Sequence, residues 1–248
     1  MNCRVMGIVN VTPDSFSDGG KFFAPEEALR RARNLIADGA EVIDLGGEST
    51  RPGATPIGWE EEWARLEPVL KSLFQGSVPS RHLGSVPISI DTYHPETAER
   101  AIAAGATIIN CVAPESVPAM AEIITQKDIE LVIPWRIGGG FAGSVPNYLG
   151  SVPRERLYLD PLIGFGTTRE EYVELLRSIP ELAKLGRVLV GASRKRIIKK
   201  LTGEKTPGKD IAGNVALALY AAVHGASMVR VHDVRETVQA LKVWNSLP

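Results

Sequence analysis

Short apolar runs alternate with amphipathic stretches from one end of the chain to the other. The runs cover residues 4–9, 41–45, 87–90, 107–110, 129–133, 157–159, 187–190 and 228–231. Each is brief, rich in β-branched residues and apolar on both faces, which is the pattern of a parallel strand covered on both sides. Between them lie stretches of helical period at 25–38, 59–74, 95–104, 118–126, 169–184, 210–223 and 234–244. Pro25 with Glu26 and Glu27 opens a helix, and Gly39 and Gly105 stand where a C-terminal glycine stop belongs. Strands alternating with helices imply a parallel sheet. Eight strands in 248 residues are about 31 residues per unit, so the expected architecture is a single (β/α)8 TIM barrel spanning 1–248. A doubly wound open sheet is the alternative, but no GxGxxG follows the first strand. The fifth βα unit is expected to be irregular, because residues 135–156 carry five glycines and two prolines without a helical period. Gly-Ser-Val-Pro recurs from Gly76, Gly84, Gly143 and Gly150; nothing physical accounts for it.

Composition narrows the class. Lys and Arg number 28 against 29 Asp and Glu, for a formal charge of −1. With no basic stripe, nucleic acid is not the expected partner. A hydrophobic share of 44% and a charged share of 23% are globular values. Two cysteines, Cys3 and Cys111, make neither a disulfide framework nor a CxxC knuckle. No apolar stretch approaches the ~18 residues of a membrane span, and the N-terminus lacks the form of a signal peptide. A soluble cytoplasmic protein with no membrane partner is expected.

The candidate chemistry lies where the strands end. In a barrel the C-terminal ends of the strands build the active site. Seven of the eight runs end in polar groups: Asn10, Asp44-Leu45-Gly46-Gly47-Glu48-Ser49, Asp91, Asn110, Asp160, Ser193-Arg194-Lys195 and Arg230-Val231-His232-Asp233. Any one of these is explained as a helix cap; seven on one rim point to a polar ligand. Asp91, Asn110, Asp160 and Lys195 are the donors and acceptors that read a heterocycle's edge: a carboxylate takes two parallel N–H bonds from an amidine-like group, and a Lys donates to a ring carbonyl. Arg51, Arg230 and His232, with Asn10, suit phosphate or diphosphate oxygens, and Ser193 with Arg194 precedes a helix-forming segment, a further anion position. Catalytic-zinc spacing and triad motifs are both missing from the sequence. Two long Gly-bearing loops, 10–20 and 46–54, read either as turn chemistry or as flaps that close over substrate.

At these residues the chain resembles dihydropteroate synthase. The resemblance rests on Met6-Gly7-Ile8-Val9 leading into the 10–20 loop, on residues 44–54, on Ile90-Asp91-Thr92-Tyr93, on Asp160-Pro161, on Gly191-Ala192-Ser193-Arg194-Lys195 and on Arg230-Val231-His232-Asp233-Val234, in the family's order across nearly the whole chain. It implies a (β/α)8 barrel that joins 4-aminobenzoate to 6-hydroxymethyl-7,8-dihydropterin diphosphate, giving dihydropteroate and diphosphate, with the C–O bond breaking largely before the amine attacks. Carried over by motif, Asp91, Asn110, Asp160 and Lys195 hold the pterin. Asn10, Arg230 and His232 hold the diphosphate, with Mg2+ near Asn10, and Thr50, Arg51, Phe165 and Ser193 sit near the aminobenzoate. Cationic groups and Mg2+ suit a departing diphosphate and carboxylates a pterin cation; Asp91, Lys195, Arg230 and His232 are the expected catalytic set, with Asp91 contributing most.

The chain also departs from the family pattern. Cys111 follows Asn110 where an Asp is usual, Pro134-Trp135-Arg136 replaces a Met-His-Met-type segment, Leu162 stands in place of Gly, and Thr167 in place of Lys. These cluster on the pterin side and motivate a second reading, a paralogue that binds a pterin or diphosphate ligand without turnover. A pterin-dependent methyltransferase domain shares the barrel and the strand-three Asp but lacks the 10–20 loop. The helix at 210–223 is apolar almost all round, which points to a homodimer contact. Trp59, Trp63 and Trp244 are expected to pack against neighbouring helices, with a dimer face the alternative for Trp244, and His82, His94 and His224 to be isolated, surface or satisfied histidines.

Overall fold

The computed structural model describes residues 1–12, 24–49, 53–75, 86–125, 127–135, 152–165, 167–204, 206 and 208–247. Eight strands, β1 (Arg4–Asn10), β2 (Val42–Gly46), β3 (Ile88–Asp91), β4 (Ile108–Asn110), β5 (Glu130–Pro134), β6 (Leu157–Asp160), β7 (Arg187–Val190) and β8 (Met228–Val231), form a closed barrel in sequence order. All neighbours are parallel, and β8 returns to β1 with Met6 opposite Arg230. Helices α1 (Ala24–Ala37), α2 (Trp59–Gln75), α3 (Pro95–Ala104) and α4 (Val117–Thr125) follow β1 to β4; α5 (Arg169–Arg177) and α6 (Ile179–Leu185) follow β6; α7 (Arg196–Thr202) and α8 (Ile211–Val223) follow β7; and α9 (Val234–Asn245) follows β8. The eight strands expected from the hydrophobic runs are all present, each within one residue of its run.

One expected helix is two. The 169–184 pattern breaks at Ser178, whose hydroxyl bonds the Leu175 carbonyl at 2.8 Å, and Pro180 in the first turn of α6 has no N–H to continue α5. Gly39 and Gly105 adopt left-handed φ of +103° and +116° at the ends of α1 and α3, as their stop positions demand. In the fifth unit, residues 136–151 lie outside the described residues; the described remainder before β6 holds a single 3-10 turn, Arg154–Arg156.

Period-two alternation stacks the barrel interior into layers. One face of each strand, for example Val5, Ile43, Ile109, Leu131, Val188 and Val229, packs beneath the helices in the main core. The opposite face supplies a separate cluster of Met6, Val42, Ile108, Val132, Tyr158, Leu189 and Met228, an apolar layer across the barrel. Two residues toward the N-terminus lie Arg4, Glu130 and Arg187. Glu130 is 2.6 Å from Arg187 and 3.4 Å from Arg4, and the Arg187 guanidinium stacks 3.9 Å from the Tyr158 ring centre. Two residues toward the C-terminus of the same strands come Asp44, Asn110, Asp160 and Arg230. The polar rim thus stands directly on an apolar floor.

Gly7 marks how closely helices cover the strands: a Cβ there would lie 3.0 Å from Leu35 Cδ1 and 3.2 Å from Val234 Cγ2. Gly7→Ala is expected to lower stability by about 1–3 kcal/mol, measured as a reduced urea midpoint with an unchanged far-ultraviolet dichroism spectrum.

Candidate active site

The C-terminal mouth centres on Arg230. From β8 its Nε and Nη2 both lie 2.6 Å from Asp44 Oδ2 on β2, and Nη2 also lies 2.6 Å from Asp91 Oδ2 at the end of β3. Asp44 is fully buried, and Asp91 keeps about a tenth of its side chain accessible (10%). Asn110, closing β4, makes a long 3.5 Å contact from its amide nitrogen to Asp44 Oδ2. The strand register sets these heights: Asp91 stands level with Gly46 and Asn110, whereas Asp44 stands level with Ser89, deeper in the barrel. Gly46, directly above Asp44 on the inward face, has no side chain to cover it; its hydrogen points at Asp91, whose Cβ would be 3.7 Å from an added Cβ. Among the described residues three buried acceptors here have no hydrogen-bond partner: Asp44 Oδ1, Asp91 Oδ1 and Asn110 Oδ1. Burial pushes the Asp91 carboxyl up to about 7 against the lowering pull of Arg230, with Asp44 and Glu62 pushing further up and Lys195 pulling down.

Asp160, ending β6, is buried and accepts the Leu162 N–H at 2.8 Å on Oδ1. Lys195, at the start of α7, sits near it: burial lowers the ammonium's pKa, while Asp160 and then Asp91 act to raise it. The Lys195 Nζ lies 3.9 Å from the Phe165 ring centre, a cation–π contact. Gly164, at φ +85°, is needed beneath it, since a Cβ there would be 2.8 Å from Lys195 Cδ. Ser193 and His232 meet at the ends of β7 and β8: Ser193 Oγ is 3.1 Å from His232 Nδ1 and accepts the His232 N–H at 3.2 Å. Behind them Asp233 takes Arg194 at 2.7 Å and Asn214 at 3.1 Å, tying β8 to the β7 loop and to α8. Asn10 closes β1 opposite Gly46.

Asp91, Asn110, Asp160, Lys195, Arg230 and Phe165 therefore share one mouth, with Ser193 and His232 paired beside it and Asn10 on the same rim. Thr50, Arg51 and Arg136 lie outside the described residues, as does most of the 10–20 loop. The sequence grouped Arg230 with the phosphate-side cations, whereas its guanidinium lies on the two carboxylates. Sequence reasoning placed Asp44 among the polar strand ends but gave it no role in the site. The signal was present: Val42, Asp44 and Gly46 share one face of a fully buried strand, so a charge there needs a partner. It also missed the role of Glu48, which accepts from Tyr93 Oη at 2.5 Å and from the Ile57 N–H at 3.3 Å and lies 3.1 Å from His94 Nε2. Glu48 binds both ends of the second loop to the β3–α3 connection, and His94 is satisfied rather than isolated.

Residues 6–136 and 149–232 match the model of a family described as pterin binding enzyme. The dihydropteroate synthase of Neisseria meningitidis serogroup C is 39% identical over 269 residues, covering 98% of this chain and 92% of that protein. The chain belongs to the dihydropteroate synthase family. Solved members of the family have the same fold. The Xanthomonas albilineans enzyme with 4-aminobenzoic acid gives a TM-score of 0.85 at 39% identity, covering 100% of this chain and 94% of that one. The Burkholderia cenocepacia enzyme complexed with 7,8-dihydropteroate gives 0.81 at 36%, covering 98% and 91%.

The departures from the family pattern leave this mouth assembled. Cys111 is fully buried and its thiol contacts the Ala113 carbonyl at 3.4 Å, with burial pushing its pKa up to about 12. Leu162 adopts φ +54°, a left-handed conformation that suits the usual Gly, yet its N–H still reaches Asp160. A branched side chain is strained further there. Leu162→Val is expected to lower stability by about 1 kcal/mol or more, and Leu162→Gly to stay within about 1 kcal/mol of the parent, both read from thermal and urea unfolding.

Proposed function

We infer that this chain condenses 6-hydroxymethyl-7,8-dihydropterin diphosphate with 4-aminobenzoate to give 7,8-dihydropteroate and diphosphate, a transferase reaction of folate biosynthesis. The observation that carries this reading is the set of unpartnered, buried acceptors on Asp91, Asn110 and Asp44 beside the Lys195 ammonium, above an apolar floor. Buried acceptors of this kind are matched by a flat ligand with several N–H donors on one edge and a carbonyl on the other. Asp91 and Asp160 take the ring N–H groups, Asn110 supports them, and Lys195 donates to the ring carbonyl. Thr50, Arg51, Phe165 and Ser193 are assigned to the aminobenzoate by motif, and Asn10, Arg230 and His232 to the diphosphate.

In the reaction the C–O bond breaks with its electron pair leaving on diphosphate, and Asp91, an anion beside the pterin, stabilises the positive charge left on the ring. The aminobenzoate nitrogen then forms the C–N bond and loses a proton. Magnesium fits the donor set in a limited way. Among the described residues no group of three His, Cys, Asp or Glu side chains could hold a metal. Asn10 offers one hard amide oxygen, which suits Mg2+ when diphosphate oxygens supply most of its ligands. Asn10 would hold the ion there, which would supply positive charge opposite the departing diphosphate. The non-catalytic paralogue is not favoured: relatives at 36–39% identity along the full chain carry the synthase name, and the departures leave Asp91, Asn110, Asp160 and Lys195 in one mouth.

The wider setting follows the same reading. No helix among the described residues is long and apolar enough to cross a membrane, and two free thiols, Cys3 and Cys111, support the reducing cytoplasm. A homodimer is supported by the outer face of α8 and α9. Val243, Trp244 and Leu247 are exposed there (63%, 45% and 61%), beside a groove of about 360 Å3 lined by Leu219, Gln239 and Ala240 among others. The exposed apolar surface lies more on α9 than on the 210–223 helix. Of the tryptophans, Trp59 stacks under Arg100 at 4.1 Å, whereas Trp244 faces outward.

The decisive assay is diphosphate release that depends on 4-aminobenzoate; a folded protein that releases none overturns the reading. Chelation of Mg2+ is expected to stop turnover and its return to restore it. Asp91→Asn is expected to cost about 100-fold or more in kcat/KM for the pterin substrate. The ionised Asp91 is the acceptor, so that kcat/KM should fall as pH drops through about 7, and the asparagine variant should lose this acid limb. Trp244→Glu is expected to shift the sedimenting species from dimer to monomer; a parent that sediments as a monomer at every concentration removes the dimer.

A further inference from the structure

We propose that Asp44 is a positioning residue for the pterin subsite: it holds Arg230 through Nε so that Asp91 can turn from the guanidinium to the ligand without leaving the arginine unpaired. The inference rests on the functional reading above. Arg230 is shared. Its Nε contacts Asp44 at 2.6 Å, while Nη2 bridges Asp44 and Asp91. Asp44 is fully buried two residues below Gly46, where a ligand on the Asp91 level stands above it rather than displacing it. Two carboxylates on one guanidinium give a site with an acceptor to spare, and the spare one, Asp91, is the carboxylate with accessible surface. With a single carboxylate, ligand binding would have to break the buried ion pair and leave a bare charge, a strongly unfavourable step.

The second consequence is electrostatic. The charged and titratable groups that face Asp91 are Arg230 from β8, Asp44 from β2, Glu62 from α2, Lys195 at the start of α7 and Cys111 after β4. Of these the Asp44 carboxylate opposes ionisation of Asp91 most strongly. Removing its charge strengthens the Arg230–Asp91 pair and eases ionisation of Asp91, and both effects move the acid limb of ligand binding to lower pH.

The test is calorimetric binding of 6-hydroxymethyl-7,8-dihydropterin diphosphate from pH 5 to 9, with turnover followed in parallel. Asp44→Asn is expected to bind about 10-fold more weakly or worse at pH 8, with the acid limb displaced downward by about one pH unit and the KM for 4-aminobenzoate unchanged. A folded Asp44→Asn protein with parental affinity and an unmoved acid limb overturns the proposal. A general loss of packing would instead raise both KM values together and leave the limb in place, which also overturns it. Should the variant not fold, the unsubstituted protein decides. Its Arg230 Nε–H should exchange slowly by NMR and remain slow when the pterin diphosphate is added; fast exchange in the complex rejects the anchor. Turnover by the parent tests the functional reading separately: a parent that binds the pterin diphosphate without turnover defeats that reading and leaves the Asp44 comparison intact.

Discussion

A guanidinium held between two carboxylates inside an apolar barrel is the constraint from which the site follows. Burying Arg230, Asp44 or Asp91 alone would be prohibitive, so each strand that brings one of them inward commits the others. β2, β3 and β8 must close at the register observed, because a slip of one residue would turn Asp44 or Arg230 outward into the layer beneath the helices. The Tyr158-containing floor below excludes water from the base of the cluster, and the lowered effective dielectric makes the charges felt across it. The same floor rests on a second ionic group, Arg4, Glu130 and Arg187, at the opposite mouth. Among the described residues the groups left without a hydrogen-bond partner there are donors, Arg187 Nε and Nη2, whereas at the C-terminal mouth they are acceptors.

Around this centre the loops are fastened by side chains from neighbouring units. Glu48 ties the two ends of the second loop to Tyr93 and His94, and the Arg65 guanidinium takes the Gly47 carbonyl at 2.8 Å. Asp233 does the same for the β7 loop through Arg194, itself at φ +57°, and Asn214. These contacts bring residues from distant units into one rigid frame, which is what a charge-stabilising site requires. The departures on the pterin side are accommodated locally. Leu162 takes on backbone strain and keeps its bond to Asp160, and Cys111 turns its thiol to a backbone carbonyl.

Much of the frame was legible beforehand. Strand positions came from apolar runs because a strand covered on both faces admits few polar residues, and the rim candidates came from the polar residues that end those runs. The 169–184 stretch reads as one helix because its apolar period continues across Ser178 and Pro180, whereas the Ser178 hydroxyl on the Leu175 carbonyl and the missing N–H of Pro180 divide it. Asp44 was passed over for the opposite reason: within Val-Ile-Asp-Leu-Gly it looks like one polar residue in a motif, and its depth becomes visible only once Val42 is seen in the floor.

The order of hydrophobic and polar residues determined by itself that eight strands alternate with helices and that acids, amides and cations collect at one end of them, since burial and backbone periodicity act locally. What the tertiary structure alone decided is which of those groups are partners. Closure of β8 onto β1 carries Arg230 across to carboxylates 139 and 186 residues away, and its guanidinium pairs with both. Pairing between buried charges depends on distance through the barrel, and no spacing along the chain encodes that distance.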